Sequence, residues 1–328
     1  MSIIEGIKQN NFIIVGRVGM DLFTDPGITT EASAHFNADM GGSSANIGAG
    51  IVKLGGRAAL VTTVSDDAIG SFCRTKLDHY GIDQTYVRSV GGEVRNSLAI
   101  YESRVEGHRN VIYRNNAADF EMTTDDVASV DYNAYGALVT AGTVFAAEPS
   151  RSATFHAFDL AHAAGLPIIF DVDYRPYSWP SPAIASDVLS RAAALSDVIV
   201  GNDDEFGFMA GGKDKGLTKA RELAATTASI VIYKMGEHGA ITFAGGQEIC
   251  TGIYPVTALK PTGAGDSFMA GFLTSLADGH DMKTALLRGS ACAAIVVAKP
   301  GCAPAMPYPA DITSFLAVHP GPTAPTLG

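Results

Sequence analysis

The chain predicts an α/β domain, a mostly parallel central sheet with helices on both faces. Three observations carry this. Short apolar, β-branched runs alternate along the chain with segments of helical spacing, the order that builds a parallel sheet. Runs such as Pro167-Ile168-Ile169-Phe170 are apolar at every position, as strands buried on both faces must be. The 328 residues show no internal repeat and no linker between independently folding halves, so 1–318 is expected to be a single domain.

In chain order the first strand is Phe12–Val15, four apolar residues in a row. A helix follows over 43–54, opened by Gly41-Gly42-Ser43 and closed by Gly55-Gly56. Ala59–Val64 is the next strand, and the spacing over 69–80 the next helix. The same alternation continues with strands at 137–140, 167–171, 198–200, 230–233 and 240–243. Helical spacing occupies 150–164, 184–194, 215–225, 264–276 and 282–297. Two regions break the rhythm, about 24–40 and 94–114. The second alternates, in Ser97–Tyr101 and again in Asn110–Tyr113, and both are read as strands of a small mobile β lid beside the main sheet. The tail 319–328 is rich in Pro, Gly and Thr and is expected to be disordered.

A formal net charge of −11 argues against a nucleic-acid surface. It does not argue against a phosphorylated ligand, because local backbone donors and Mg²⁺ can outweigh the global field. Cys73, Cys250, Cys292 and Cys302 lack metal spacing and suit reduced thiols in a cytoplasmic protein. Nothing resembles a signal peptide, and no apolar run is long enough to span a membrane.

The most informative segment is Pro261-Thr262-Gly263-Ala264-Gly265-Asp266-Ser267-Phe268. A helix starting there aims unpaired N–H groups and the positive end of its dipole at an anion. Asp266 inside that turn is poorly placed for plain anion binding. It makes sense where a hydroxyl loses its proton beside a phosphoryl group in transfer. Gly41-Gly42-Ser43-Ser44-Ala45-Asn46 is a Gly turn with a Ser N-cap. It is equally a place where backbone can lie against a polar ligand, with Asn46 offering a donor and an acceptor. Asn202-Asp203-Asp204-Glu205 is an N-cap followed by first-turn acids, or a pair facing hydrated Mg²⁺. Lys234–Gly239 reads as a turn between strands. Gly207–Asp214 nearly spells a P-loop, but it follows a helix and lacks the final Ser/Thr, so it is read as a helix C-cap. No G-x-G-x-x-G fingerprint opens a βαβ unit, which counts against a dinucleotide oxidoreductase. His108, His156 and His162 show no metal spacing and are read as ordinary histidines. Arg17, Arg95, Arg114 and Arg175 sit at strand ends or in the lid, and together they point to an anionic substrate.

Taken in order, Gly41–Asn46 running to Leu54-Gly55, the N-x-x-E of Asn202–Glu205 and Gly263-Ala264-Gly265-Asp266 resemble the signatures of the ribokinase-type (phosphofructokinase-B-type) carbohydrate kinases. The resemblance covers nearly the whole chain. It implies a ribokinase-like three-layer α/β/α sandwich with a β lid, and ATP-dependent phosphorylation of a sugar hydroxyl. Gly16-Arg17 with Asp21-Leu22, Tyr113–Asp119, Ala141-Gly142-Thr143 with Pro149-Ser150-Arg151, and the long Phe170–Trp179 resemble one branch. Its members phosphorylate 5-dehydro-2-deoxygluconate in myo-inositol breakdown. Kinases of 2-keto-3-deoxygluconate carry a similar arginine-bearing segment. That acid, fructose or a nucleoside therefore stays open as substrate, and a non-catalytic sugar sensor is the rival of another class.

The resemblance also implies roles. Asp266 is the base, and Gly263, Ala264 and Gly265 donate N–H groups to the migrating charge. Asp21, Gly41, Gly42 and Asn46 hold sugar hydroxyls; Arg114 and Arg175, then Arg17 and Arg95, are candidates for a carboxylate. ATP lies by Lys234, Gly236, Gly239, Thr262 and Cys292, and Mg²⁺ is held through water by Asn202 and Glu205. Where the family commonly has an Asp that helps hold a monovalent cation, this chain has Lys260, whose ammonium is expected to replace it. Lid strands in the family often pair between subunits, so a homodimer is an expectation. No nucleic-acid or membrane partner is expected.

Overall fold

Strand β1 (Asn11–Val15) shows why the sheet is covered on both faces. Phe12 and Ile14 enter one core, while Ile13 and Val15 enter the other. The computed structural model describes residues 2–324. The remaining strands are β2 (Gly19–Phe23), β3 (Asn37–Gly41), β4 (Arg57–Ser65), β5 (Val87–Val90), β6 (Leu98–Tyr101), β7 (Asn110–Tyr113), β8 (Ala137–Ala141), β9 (Ile168–Asp171), β10 (Val198–Asn202), β11 (Ile230–Lys234), β12 (Ala240–Ala244) and β13 (Gln247–Thr251). The helices are α1 (Ile3–Ile7), α2 (Ser43–Lys53), α3 (Ala68–His79), α4 (Thr124–Ala128), α5 (Ser150–Ala163), α6 (Pro182–Ala194), α7 (Asp203–Met209), α8 (Gly216–Thr226), α9 (Ala264–Ala277), α10 (Met282–Val297) and α11 (Pro309–Val318).

The main sheet has nine strands in the order β13-β12-β11-β10-β9-β8-β1-β4-β5. Pairing is parallel from β5 to β11 and antiparallel from β11 through β13. One core joins this sheet to α2, α3, α9 and α10, and the other joins it to α5, α6 and α8. This is the expected three-layer sandwich. The parallel strands point their carboxyl ends the same way, and that edge carries the chemistry of open α/β sheets.

The lid is a four-stranded sheet, β3-β2-β6-β7. It begins earlier than expected, at Gly19 instead of about residue 24. The buried positions of β2 read Gly19, Asp21 and Phe23, and an inward-facing carboxylate hides the apolar alternation. Two edge strands, β5 and β13, were also absent from the sequence reading; both are largely exposed and so lack an apolar run.

Residues 319–324 are not detached from the body: Thr323 N–H donates to the Ile253 carbonyl (2.8 Å), and the His319 ring packs on Tyr254 and Phe315. Residues 325–328, the rest of the expected disordered tail, lie outside the described residues.

Candidate active site

A cavity of about 710 Å³ opens at the carboxyl edge of the main sheet, beneath the lid. Helix α9 forms its floor. Gly263 caps this helix with φ 87°, a left-handed conformation that side-chain-bearing residues resist. The N–H groups that follow it have no acceptor within the helix and face the cavity. Gly265 has no side chain to fill the space toward Lys234 Nζ and the Asp171 carboxylate, which would lie 3.5 and 3.9 Å from a Cβ built there.

Asp266 stands in the first turn, and its Oδ2 accepts a hydrogen bond from Asn46 Nδ2 at 2.9 Å. Asn46 comes from α2, so this bond joins the two segments that the sequence singled out independently. Helix-dipole reasoning alone expects Asp266 to be ionised. The structure corrects that: burial first, then the negative charge of Asp173, push its carboxyl up to about 7.

The opening of α2 also differs from the expected Ser N-cap. Gly42 is the cap, at φ 98°, and Ser43 is the first helical residue. A Cβ on Gly42 would meet the Arg17 carbonyl at 2.6 Å, and one on Gly41 would meet Asp21 Oδ1 at 1.9 Å. Gly42 lines the cavity; Gly41 stands behind Asp21 and gives it room. Asp21 is buried from the lid side, and desolvation pushes its carboxyl up to about 7.

Asn202 and Glu205 serve both readings at once. They form a reciprocal capping box at the start of α7: Asn202 Oδ1 accepts from Glu205 N–H (2.9 Å) and Glu205 Oε2 accepts from Asn202 N–H (2.8 Å). Both also line the cavity. Burial and the neighbouring Asp171 push Glu205 up to about 7. Among the described residues no group of three or more His, Cys, Asp or Glu could hold a metal directly. The Asn202 amide oxygen and the Glu205 carboxylate are hard oxygen donors at the cavity wall, of the kind that could meet the water shell of a hydrated Mg²⁺. Lys234, Gly236, Gly239 and Thr262 also line the cavity.

The arginines divide. Arg175 lines the cavity, with Nη2 on Asp173 (2.6 Å) and Nη1 on the Tyr174 carbonyl (3.0 Å). Arg17 is buried and also lines it; Nη1 donates to Ser97 Oγ (3.0 Å), and Nε has no hydrogen-bond partner among the described residues. Arg114, expected to grip a carboxylate, is not at the cavity. Its guanidinium is spent on Asp119 (2.5 Å) and the Thr143 carbonyl (2.8 Å). Arg95 is exposed and bonded to the Gly92 and Val94 carbonyls. Cys292 does not reach the cavity either: it packs against Gly271 inside the α9–α10 contact, while its neighbours Ser290 and Ala293 face the cavity.

Some cavity residues were passed over in the sequence. Asp171 ends β9 and Asp173 follows two residues beyond it, and that position at the strand's carboxyl end was the available signal. Asp173 adopts φ 33°, and its carboxylate is clamped by Ser43 Oγ (2.6 Å) and Arg175. Burial raises its pKa, but Arg175, Ser43 and Arg17 outweigh that and hold it below the usual range. Tyr101 and His108 face the cavity from the lid; His108, read as ordinary, stacks on Tyr101. Only its place in the β6–β7 hairpin could have marked it.

Lys260 is almost completely buried, and its ammonium donates to the Thr262 (2.8 Å) and Val296 (3.1 Å) carbonyls. Desolvation lowers its pKa.

Comparison with known proteins gives a consistent picture. The sequence profile of the pfkB family of carbohydrate kinases matches residues 9–309. The chain is 36% identical to a 5-dehydro-2-deoxygluconokinase of Photobacterium profundum, over 93% of this chain and 94% of that one. It is 34% identical to the enzyme of the same name from Geobacillus kaustophilus, over 95% of each. Its fold matches a doubly substituted fructokinase of Vibrio cholerae solved with fructose, ADP and potassium (TM-score 0.81, 23% identity, 93% of this chain and 98% of that one).

Proposed function

The chain belongs to the pfkB family of carbohydrate kinases, and on that premise we propose that it transfers the γ-phosphoryl group of ATP to the terminal hydroxyl of 5-dehydro-2-deoxygluconate. The observation that carries this reading is Asp266: a half-buried carboxylate at the head of α9, tied to Asn46, in a cavity lined also by Asp21 and Gly42 and by the glycine turn Gly236 to Gly239.

The sugar acid lies over Asp21, Gly42 and Asn46, with Arg17 and Arg175 toward its carboxylate. Its terminal O–H points at Asp266. As the new O–P bond forms and the bond to ADP breaks, the proton passes to the Asp266 carboxylate, late, because the transition state is loose. N–H groups of Ala264 and Gly265 donate to the equatorial oxygens, where charge is concentrated. Lys234 stands on the same side and offsets the charge of the departing ADP. Asn202 and Glu205 would hold Mg²⁺ through its waters, and the ion would supply positive charge to the phosphates. The lid keeps bulk water from the transferring group.

Lys260 supplies the positive charge that a monovalent cation gives elsewhere, and its two carbonyl partners support this. The four free cysteines suit a cytoplasmic enzyme. No helix among the described residues is long and apolar enough to cross a membrane. The deciding experiment is a coupled ADP-release assay across sugar acids, neutral sugars and nucleosides. Preference for 5-dehydro-2-deoxygluconate supports the reading; faster turnover of 2-keto-3-deoxygluconate, fructose or a nucleoside replaces the substrate, and ligand binding without transfer makes the protein a sensor.

A further inference from the structure

The wall that leads into the catalytic turn is irregular chain. From the end of β13 at Thr251 to the cap of α9 at Gly263 there is no helix or strand. Thr251, Gly252 and Ile253 line the cavity at one end of this stretch, beside Gly239 and Ala240; Pro261 and Thr262 line it at the other. A loop of this kind has many conformations in isolation, and a binding wall needs one. The far end is pinned by the Val297 carbonyl, which accepts from Leu259 N–H (2.8 Å) and Lys260 N–H (3.2 Å).

The near end is pinned by a segment distant in sequence. Thr323 N–H donates to the Ile253 carbonyl (2.8 Å), and Ile253 N–H donates to Thr323 Oγ1 (3.1 Å). Gly252 permits the approach: a Cβ there would lie 1.9 Å from the Thr323 carbonyl oxygen. His319 anchors the same segment with its Nε2 3.0 Å from the Pro255 carbonyl and its ring against Tyr254 and Phe315. Both hydrogen bonds of Ile253's backbone thus go to one residue beyond α11, and Ile253 faces the cavity.

We propose that residues 319–324 are part of the nucleotide side of the site, with Thr323 a positioning residue that fixes the wall at Gly252 and Ile253. The proposal rests on the reading that ATP occupies this side. Nothing in the phosphoryl-transfer chemistry needs Thr323, so its effect falls on nucleotide binding and leaves the sugar side alone.

The test compares Thr323→Pro, Thr323→Ser and Gly252→Ala in the full chain. Thr323→Pro removes the N–H donor and the hydroxyl together. Gly252→Ala pushes the segment off its seat without altering it. Both are expected to raise KM for ATP and the calorimetric Kd for ADP about three- to tenfold, the effect of one or two lost hydrogen bonds. KM for the sugar is expected to stay put. Thr323→Ser keeps both groups and is expected to match the wild type. Unchanged ADP affinity in Thr323→Pro and Gly252→Ala overturns the proposal, as do equal rises in both KM values. The kinase reading fails differently: the wild type would bind ADP but phosphorylate no sugar. The ADP titrations of the variants still decide the role of Thr323 in that case.

Discussion

Replacing Asp266 by Asn keeps the shape of the side chain and removes its charge and its basicity. The amide oxygen of the new residue can still accept from Asn46 Nδ2, the partner now 2.9 Å from the carboxylate, so the cavity keeps its form. What is lost is the proton acceptor, and general-base catalysis contributes roughly 10²–10⁴ in rate. At about 1.36 kcal/mol per decade that is about 2.7–5.4 kcal/mol of transition-state stabilisation. A coupled assay should show turnover down by that factor, with ADP affinity from calorimetry unchanged. The same variant has a second signature. Burial raises Asp266 from 3.8 to about 7 in the native state. A raised native pKa means its stabilising contribution is complete below the unfolded value and is lost as pH climbs through about 7. The cost to the wild type reaches on the order of a few kcal/mol. Asp266→Asn escapes it, so the variant should melt higher than the wild type. That gap should widen from about pH 4 to about pH 7 and stay level above. Near-normal turnover refutes Asp266 as the base. A melting gap independent of pH refutes the account of its burial.

Three further substitutions separate neighbouring claims. Lys260→Ala leaves the Thr262 and Val296 carbonyls without their donor; activity should fall and recover with K⁺, while the wild type should gain nothing from K⁺ beyond an ionic-strength control. Strong K⁺ activation of the wild type would sink the idea. Arg175→Ala should raise KM for the sugar acid at least about tenfold more than for a neutral sugar, as loss of a charge-assisted contact implies, and equal losses would make Arg175 structural. Arg114→Ala strands the buried Asp119 and should cost about 3–5 kcal/mol in denaturant unfolding with acid-over-neutral preference unchanged; a shifted preference would return Arg114 to the substrate.

The sheet and its large helices were legible because burial on both faces writes apolar runs directly into the sequence. The catalytic turn was legible for a different reason. Gly263 and Gly265 stand where a side chain would spoil the backbone or fill the site, and that leaves a spacing visible in one dimension. The arginines were not legible. Arg17 and Arg114 are both buried and both follow strand-like runs, and only the fold reveals that Arg114 spends its guanidinium on Asp119 and Thr143. In the tail, Pro, Gly and Thr report low helix and strand tendency and say nothing of contacts. Thr323 is held by backbone bonds to Ile253, and these carry no side-chain signature.

The cavity's charge balance ties the site together. Asp21, Asp171, Asp173, Glu205 and Asp266 line it against Arg17, Arg175 and Lys234. An acid-rich pocket is a poor receptor for a nucleotide and a sugar acid taken alone, since like charges in a buried site are costly. The structure answers part of this by burial: Asp21, Glu205 and Asp266 are each raised to about 7, so none is firmly ionised at neutral pH. Asp173 stays ionised because it is spent on Arg175 and Ser43. A divalent ion held beside Glu205 would set positive charge against the phosphates it accompanies and against the acids around it. In the proposed reaction Asp266 would take the proton through its ionised fraction. The acid that looked out of place in an anion-binding turn is thus only partly ionised at neutral pH, able to accept a proton without setting a full negative charge against the phosphates.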